Sequence, residues 1–424
     1  MVRSGIRKTA LSLAVAGAFA GGVSQAHASA FALIEQNASG LGNSYAGAAA
    51  AAEDASTIFY NPAGMSLLPG GMQVSAGLAL INLSIKFSDS GSTASTSPAA
   101  RPLGNNGGNA GDLSAVPNVY FAMDVAPDWK VGVGVSVPFG LKTEYDPAWI
   151  GRFQAIKSDI STLNINPAVS YKLNQTVSLG FGLNYQTIDA ELTRAVNLGV
   201  AEEIVDIKAK DNSGWGYNVG AMFQVAPDTR LGVSYRSSIK YHLTGTATFS
   251  ANQPAPNANV STDIKMPDSA SIAVQHRLNP GWTLLADVTR TGWSKIKELK
   301  IDSDTLGTLN NTPENFKNTW RVSVGATYRY SDEWSIKTGL AFDQTPVNDT
   351  DRTPRLPDND RLWLSVGGQY RLSKDGTLDF GYAHLFLKDA PTNQNAGNAA
   401  AFGQLVGTYK GSVDVLGAQF AYRF

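Results

Sequence analysis

The stretch "WRVSVGATYRYSDEWSIKTGLAF", residues 320–342, contains two strand-like runs joined by a tight turn. Trp320, Val322, Val324, Ala326, Tyr328 and Tyr330 alternate with Arg321, Ser323, Gly325, Thr327 and Arg329. In an extended backbone, successive side chains point to opposite faces, so one face is apolar and the other polar. The run ends at a turn around Asp332, and a second run starts at Trp334. The same alternation appears in "TVSLGFGLNYQ" (176–186), with Val177, Leu179, Phe181, Leu183 and Tyr185 on one side. It recurs in "RLWLSVGGQYRL" (361–372), through Leu362, Leu364, Val366, Tyr370 and Leu372. A soluble sandwich would show this pattern too, so alternation alone leaves two architectures open.

Two further features separate them. Aromatic residues recur at run ends (Trp129, Trp215, Trp282, Trp320, Trp334, Tyr185, Tyr330, Tyr370), as in the girdles where a barrel meets two membrane interfaces. The connections also fall into two classes. Tight turns lie near Pro127, Asn174, Pro227, Pro280, Asp332 and Asp375, roughly fifty residues apart, with recurrent wording such as "VAPDWKVGV" and "VAPDTRLGV". Between them run long polar loops, among them "NDTDRTPRLPDNDR" (348–361). Short turns on one side and long loops on the other predict an all-β, antiparallel transmembrane barrel of about 14 strands from residue 71 to 424. The closing "QFAYRF" places Phe420, Tyr422 and Phe424 on one face, which resembles the signal read by the outer-membrane assembly machinery.

The remaining composition fits an exported barrel. Arg3, Arg7 and Lys8 precede an apolar run from Ala10 to Ala20 and an Ala26-His27-Ala28 cleavage site, so residues 1–28 read as a secretory signal peptide. That run is too short to span a bilayer as a helix, and no later run is long enough. The chain has no cysteine, which excludes thiolate metal sites, thiol nucleophiles and disulfides. A formal net charge of −1 gives no reason to expect nucleic acid as a partner. No metal or cofactor is called for. A hydrolase barrel would need a nucleophile beside a histidine, yet His242, His276 and His384 fall on separate runs outside any recognisable motif. The glycine-rich "GLGNSYAG" (40–47) and "LGNNGGNAGD" (103–112) lack the strand context and the Lys-Ser/Thr of a phosphate loop. An adhesin role for the outer loops stays open.

Residues 29–70, ahead of the first run, are small and polar, with no apolar stripe. They cannot lie in lipid. They form either a plug in a lumen too wide for side chains to fill, with Pro62 closing its last helical turn, or a disordered periplasmic tail. In the third run, "DWKVGVGVSVPFGLKTEY" (128–145), Pro138 and Gly140 flank Phe139 at alternate positions. Proline cannot donate to a ladder and glycine often marks a bulge, so this is either a weak point in the wall or a plain strand end.

Several segments together resemble the FadL-type outer-membrane transporters of long-chain fatty acids, a family (OmpP1/FadL/TodX) that also contains channels for aromatic hydrocarbons such as toluene. They are "FALIEQNASGLGNSYAGAAAAAEDASTIFYNPAG" (31–64), "VPFGLKTEYDPAWIGRFQ" (137–154), "GWGYNVG" (214–220), "GLAFDQTPV" (339–347) and "LPDNDRLWLSVG" (356–367). The resemblance covers residues 31–424. It implies a monomeric channel in the Gram-negative outer membrane, bordered by lipid and lipopolysaccharide, for passive uptake of a hydrophobic ligand. By the same resemblance, residues 29–70 form a hatch whose Asn61, Pro62 and Ala63 lie against an inward kink at Pro138, Phe139 and Gly140. The kink opens a lateral gap. Phe31 would reach into the ligand pocket, and Arg194, after the fifth strand, and Lys317, before the tenth, would meet the ligand head group. Solvation, or contact with lipid headgroups, is the other reading of those two cations. Fatty acid and aromatic hydrocarbon both remain open as ligand.

Overall fold

The computed structural model describes residues 30–250, 257–394 and 398–424; the expected signal peptide lies outside them. Fourteen antiparallel strands close into a barrel. They are β1 (Met72–Asp89), β2 (Leu113–Ala126), β3 (Trp129–Ser136, resuming at Gly140–Glu144), β4 (Lys157–Lys172), β5 (Val177–Asn197), β6 (Glu202–Ala226) and β7 (Thr229–Arg236 and Ile239–Phe249). Then follow β8 (Ala258–Met266 and Ser269–Asn279), β9 (Trp282–Thr291 and Glu298–Ser303), β10 (Gly307–Pro313 and Thr319–Arg329), β11 (Trp334–Asp343), β12 (Arg361–Arg371), β13 (Gly376–Leu387, with Ala390–Gln394) and β14 (Leu405–Arg423). Each pairs with its sequence neighbours, and β14 returns to β1 from Gln73↔Arg423 to Asp89↔Gly407, so the sheet has no free edge at the seam.

Burial is inverted relative to a soluble sandwich. Trp320, Val322 and Val324 of β10 are 46–53% exposed on the outer face, whereas Arg321 and Ser323 are buried in the lumen. An outer face in contact with hydrocarbon tolerates only apolar side chains, and a lumen filled by polar chain accepts the rest. The two aromatic levels form by pairing across strands. Trp129 and Tyr171 stack at 4.5 Å, Trp282 and Tyr328 lie 4.7 Å apart, and Trp334 and Tyr370 4.7 Å, all at the tight-turn end. Tyr185 and Trp215 pair at 5.1 Å at the other level.

Residues 30–71 thread the lumen as short helical turns at Leu41–Asn43, Ala48–Ala51, Thr57–Tyr60 and Pro62–Leu67. Pro62 does not end the last turn, as its sequence suggests. It opens one, because Asn61 is the N-cap whose side chain accepts from Ala63 N–H and proline is tolerated at the first helical position. The segment is tied to the wall at many points. Lys337 Nζ donates to Ser39 O at 2.8 Å and pairs with Glu53 at 2.6 Å, and Gln419 donates to Asp54 at 2.8 Å. Gly180 and Gly220 let the backbone approach: a Cβ at either position would run into Ala63 N or Asn61 Oδ1.

Candidate functional site

The wall changes character at the third strand. The β2–β3 ladder runs from Ala126↔Trp129 to Val119↔Val135 and stops. Beyond it Leu113–Asn118 of β2 pair with β1 alone, and Gly140–Glu144 pair with β4 alone. The two strands have parted across the outer half of the wall, at the Pro138–Gly140 position singled out in the sequence. Polar backbone freed this way needs other partners. The N-terminal segment provides them: Leu33 N–H donates to Pro138 O at 2.8 Å, Gly140 N–H donates to Phe31 O at 2.9 Å, and Ala32 bridges Phe139. Gln36 completes the junction, donating to Val137 O at 2.7 Å and accepting from Val137 N–H at 3.1 Å.

Asn61, Pro62 and Ala63 were expected at this kink, but the structure places them elsewhere. Asn61 donates to Ala49 O at 2.7 Å and to Ala221 O of β6 at 3.1 Å, while Pro62 and Ala63 press on Gly180 of β5. The amide of Asn61 satisfies wall carbonyls opposite wall glycines, a match available at β5 and β6. Pro62 shares with Pro138 and Phe139 only the lining of one cavity of about 160 Å³, which also borders Ala32–Ile34, Arg321 and Asp343.

Above the junction the lumen holds an apolar cluster, a chamber filled by its own packed side chains. Phe31 is buried there, its ring 4.8 Å from Trp293 and 6.1 Å from Phe139, with Phe316 6.2 Å from Trp293. Ile188, Tyr241, Met266 and Leu356 complete this packing. Trp293 and Phe316 reach it because β9 and β10 are interrupted, at residues 292–297 and 314–318. Phe31 is thus packed among apolar and aromatic side chains.

Arg194 lies within β5, which runs on to Asn197, rather than after it. Its guanidinium donates to Leu309 O at 3.1 Å, lies 5.2 Å over the Phe402 ring, and lines a cavity of about 190 Å³ together with Arg355, Phe153, Leu309 and Thr353. Arg355 donates to the carbonyls of Lys157 and Gln154 and to Ser158 Oγ, at 3.0–3.2 Å. Burial, then the neighbouring Arg194, lower the Arg355 guanidinium to about 10, still charged near neutral pH. Among the described residues neither arginine takes part in an ion pair, although the charge of the buried Glu314 acts on Arg355, so two half-buried cations face one cavity with carbonyl and hydroxyl oxygens as their hydrogen-bond partners. Arg355, which lines this cavity, adjoins in sequence Leu356, which packs in the apolar cluster.

Lys317 does not join them. It sits in the interruption of β10, exposed, while the adjacent Phe316 turns into the chamber. Sequence reasoning missed Arg355, Gln36, Trp293 and Phe316. The quoted segments ran through Gln36 and started beside Arg355, and Lys317 adjoins Phe316, but none of the four was singled out.

A third element is Glu35, fully buried within the junction segment, with neither carboxylate oxygen hydrogen-bonded. Desolvation pushes it up to about 7, against the opposing pull of the Arg361 and Arg321 guanidiniums.

Comparison with known proteins agrees with this architecture. The long-chain fatty acid transport protein of Salmonella typhi is 30% identical over 401 residues, covering 87% of this chain and 90% of that protein. Outer membrane protein P1 of Haemophilus influenzae is 28% identical over 398 residues, covering 85% and 86%. Among solved structures, a Pseudomonas aeruginosa FadL homologue superposes with a TM-score of 0.84 at 24% identity, over 93% of this chain and all of that one. The Ralstonia pickettii toluene transporter TbuX does so with 0.67 at 20%, over 92% and 100%. The sequence profile described as outer membrane protein transport protein (OMPP1/FadL/TodX) matches residues 19–424, and the chain belongs to that outer-membrane family.

Proposed function

We propose that this protein is a passive channel for long-chain fatty acids, whose carboxylate is held by Arg194 and Arg355 and whose tail occupies the chamber of Phe31, Trp293 and Phe316. The paired cations carry this reading. Two half-buried guanidiniums, neither in an ion pair among the described residues and with only Glu314, which burial raises to about 8, as a nearby carboxyl, leave positive charge beside an apolar cluster, and an incoming carboxylate would balance it. A neutral hydrocarbon would gain nothing from them. No chemical step is implied, and no energy coupling. The ligand moves down its gradient from the outer loops to the chamber. Displacing Phe31–Gln36 would then expose the β2–β3 gap, through which it leaves sideways. Residues 29–70 act as the hatch.

The aromatic lining supports a second reading, a toluene-like ligand, and one experiment separates the two. Replacing Arg194 and Arg355 together with Met should weaken oleate binding by at least roughly tenfold, since hydrogen bonds to a charged group contribute about 1.5–3 kcal/mol each. Binding of an uncharged aromatic of similar apolar area should hardly change, and Lys317→Met should leave both intact. Oleate affinity indifferent to the double substitution in a folded, heat-modifiable barrel would return the protein to the hydrocarbon reading.

A further inference from the structure

The outer face of the barrel, where its first and last strands meet, carries a row of charge that the ligand pathway does not use. Lys86 of β1 and Lys410 of β14 are direct register partners. Lys388 extends the row on β13: Phe386 pairs with Ser412 and Ala390 with Tyr409, so Lys388 and Asp389 flank Lys410. All three lysines are exposed. Lys86 and Lys410 share the outward face with Leu78 and Leu416, which are 43% and 57% exposed to lipid.

Like charges directly opposite on one face of an antiparallel pair are destabilising, and partner residues on adjacent strands stand only about 5 Å apart. Asp389 offsets part of this, 3.2 Å from Lys410. Among the described residues, Lys86 and Lys388 take part in no ion pair. Below the row, on the membrane side, Asp414 accepts from Tyr382 at 2.6 Å and meets His384 at 2.7 Å, and the outward face then becomes apolar down to Phe424. The lysines therefore stand at the rim where the apolar belt ends, opposite the tight-turn side. Outer-leaflet headgroups lie at that level.

We infer that Lys86, Lys388 and Lys410 form a binding site for the phosphates of an anionic glycolipid of the outer leaflet. One phosphate bridging two opposed ammonium groups removes the repulsion that the strand register imposes. The glycolipid's acyl chains then lie along the apolar face beneath. The inference relies on the outer-membrane placement and is independent of which ligand the channel carries.

The test uses full-length protein in non-ionic detergent, stripped of lipid. It is titrated with a bisphosphorylated glucosamine lipid, with the same lipid dephosphorylated, and with inorganic pyrophosphate, and bound species are counted by native mass spectrometry. Wild type should bind the phosphorylated lipid at least roughly tenfold more tightly than the dephosphorylated one, as expected for several lysines at an anionic surface. The Lys86→Gln, Lys388→Gln, Lys410→Gln variant should lose that preference. A variant with Lys172→Gln and Lys374→Gln, on the tight-turn side, should keep it. Without bound lipid, the triple variant should melt no lower than wild type. Should the triple variant fold poorly, Lys86→Gln alone must still reduce the preference. An undiminished preference in the triple variant would overturn the site, as would equal binding of the two lipids. Pyrophosphate binding as tight as the lipid's would reassign it to free phosphate.

Discussion

Gln36 is a small side chain with a large structural duty. Where β3 leaves β2, Val137 loses its ladder partner, and both its N–H and C=O would be orphans in a buried place. The Gln36 amide supplies one acceptor and one donor to that single peptide, and its Nε2 also reaches Leu33 O at 3.0 Å. Tyr120 holds Gln36 from the other side, its hydroxyl donating to Gln36 O at 2.9 Å. A carboxylate of the same shape accepts but cannot donate, and an apolar isostere does neither. Leaving a buried donor or acceptor unmade costs about 1–3 kcal/mol. Gln36→Leu should therefore loosen the junction without unfolding the wall. Hydrogen exchange at Phe31–Gln36 and Val137 should speed up by roughly tenfold or more, with the β1–β14 seam unaffected. Exchange unchanged at residues 31–36 would show that the plug's other ties hold the junction, and that Gln36 is incidental. Such a residue is not legible in sequence. An isolated glutamine in a polar segment has no periodicity, and its partner is 101 residues away.

At the scale of the element, β3 differs from the other interrupted strands. β7, β8, β9 and β10 also break, and at β9 and β10 the interruption bends inward to carry Trp293 and Phe316 into the chamber. At β3 the ladder with β4 breaks over Val137–Phe139 and resumes one register on at Gly140↔Ser161, whereas the ladder with β2 does not resume, so the opening lies between β2 and β3. Replacing Pro138 and Gly140 with Val and deleting Phe139 should let the β2–β3 ladder continue past Val119↔Val135. Ligand binding to the purified protein should persist while uptake by cells falls. Normal uptake through a correctly folded variant would rule out release at this strand. The alternating runs were legible because lipid outside and polar chain inside impose a period of two on every strand. The β3 break was legible too, through Pro138 and Gly140. The break in β8 had a comparable signal in Pro267-Asp268, which went unread, whereas Ser237-Ser238 in β7 has no residue that forbids pairing. The positions of Arg194 and Lys317 were misjudged by a few residues for a related reason. Strand ends beyond the apolar belt meet water on both faces and lose the alternation that marks them.

For the whole molecule, the lumen is the interior that must be filled. A barrel of fourteen strands cannot close its lumen with wall side chains alone, and here the wall carries glycine where the N-terminal segment lies closest, at Gly180 and Gly220. The segment and the wall are therefore complementary: removing one leaves a hole shaped by the other. The barrel itself does not depend on the segment for closure, since β1 and β14 pair over seventeen registers, from Gln73 to Asp89. Deleting residues 29–70 should thus leave a heat-modifiable, β-rich barrel. The deletion also uncovers charges that now face the plug, among them Lys337 and Asp379, which lie 3.3 Å apart in the wall. They would line a wet channel. In a planar bilayer the truncated protein should conduct small ions steadily and without selectivity for hydrophobic solutes, whereas the intact protein should be closed to them. If the truncated barrel folds and is as tight to ions as the intact one, the segment is not what seals the lumen. The inward-bent interruptions of β9 and β10 and the packing around Trp293 would then have to close it unaided.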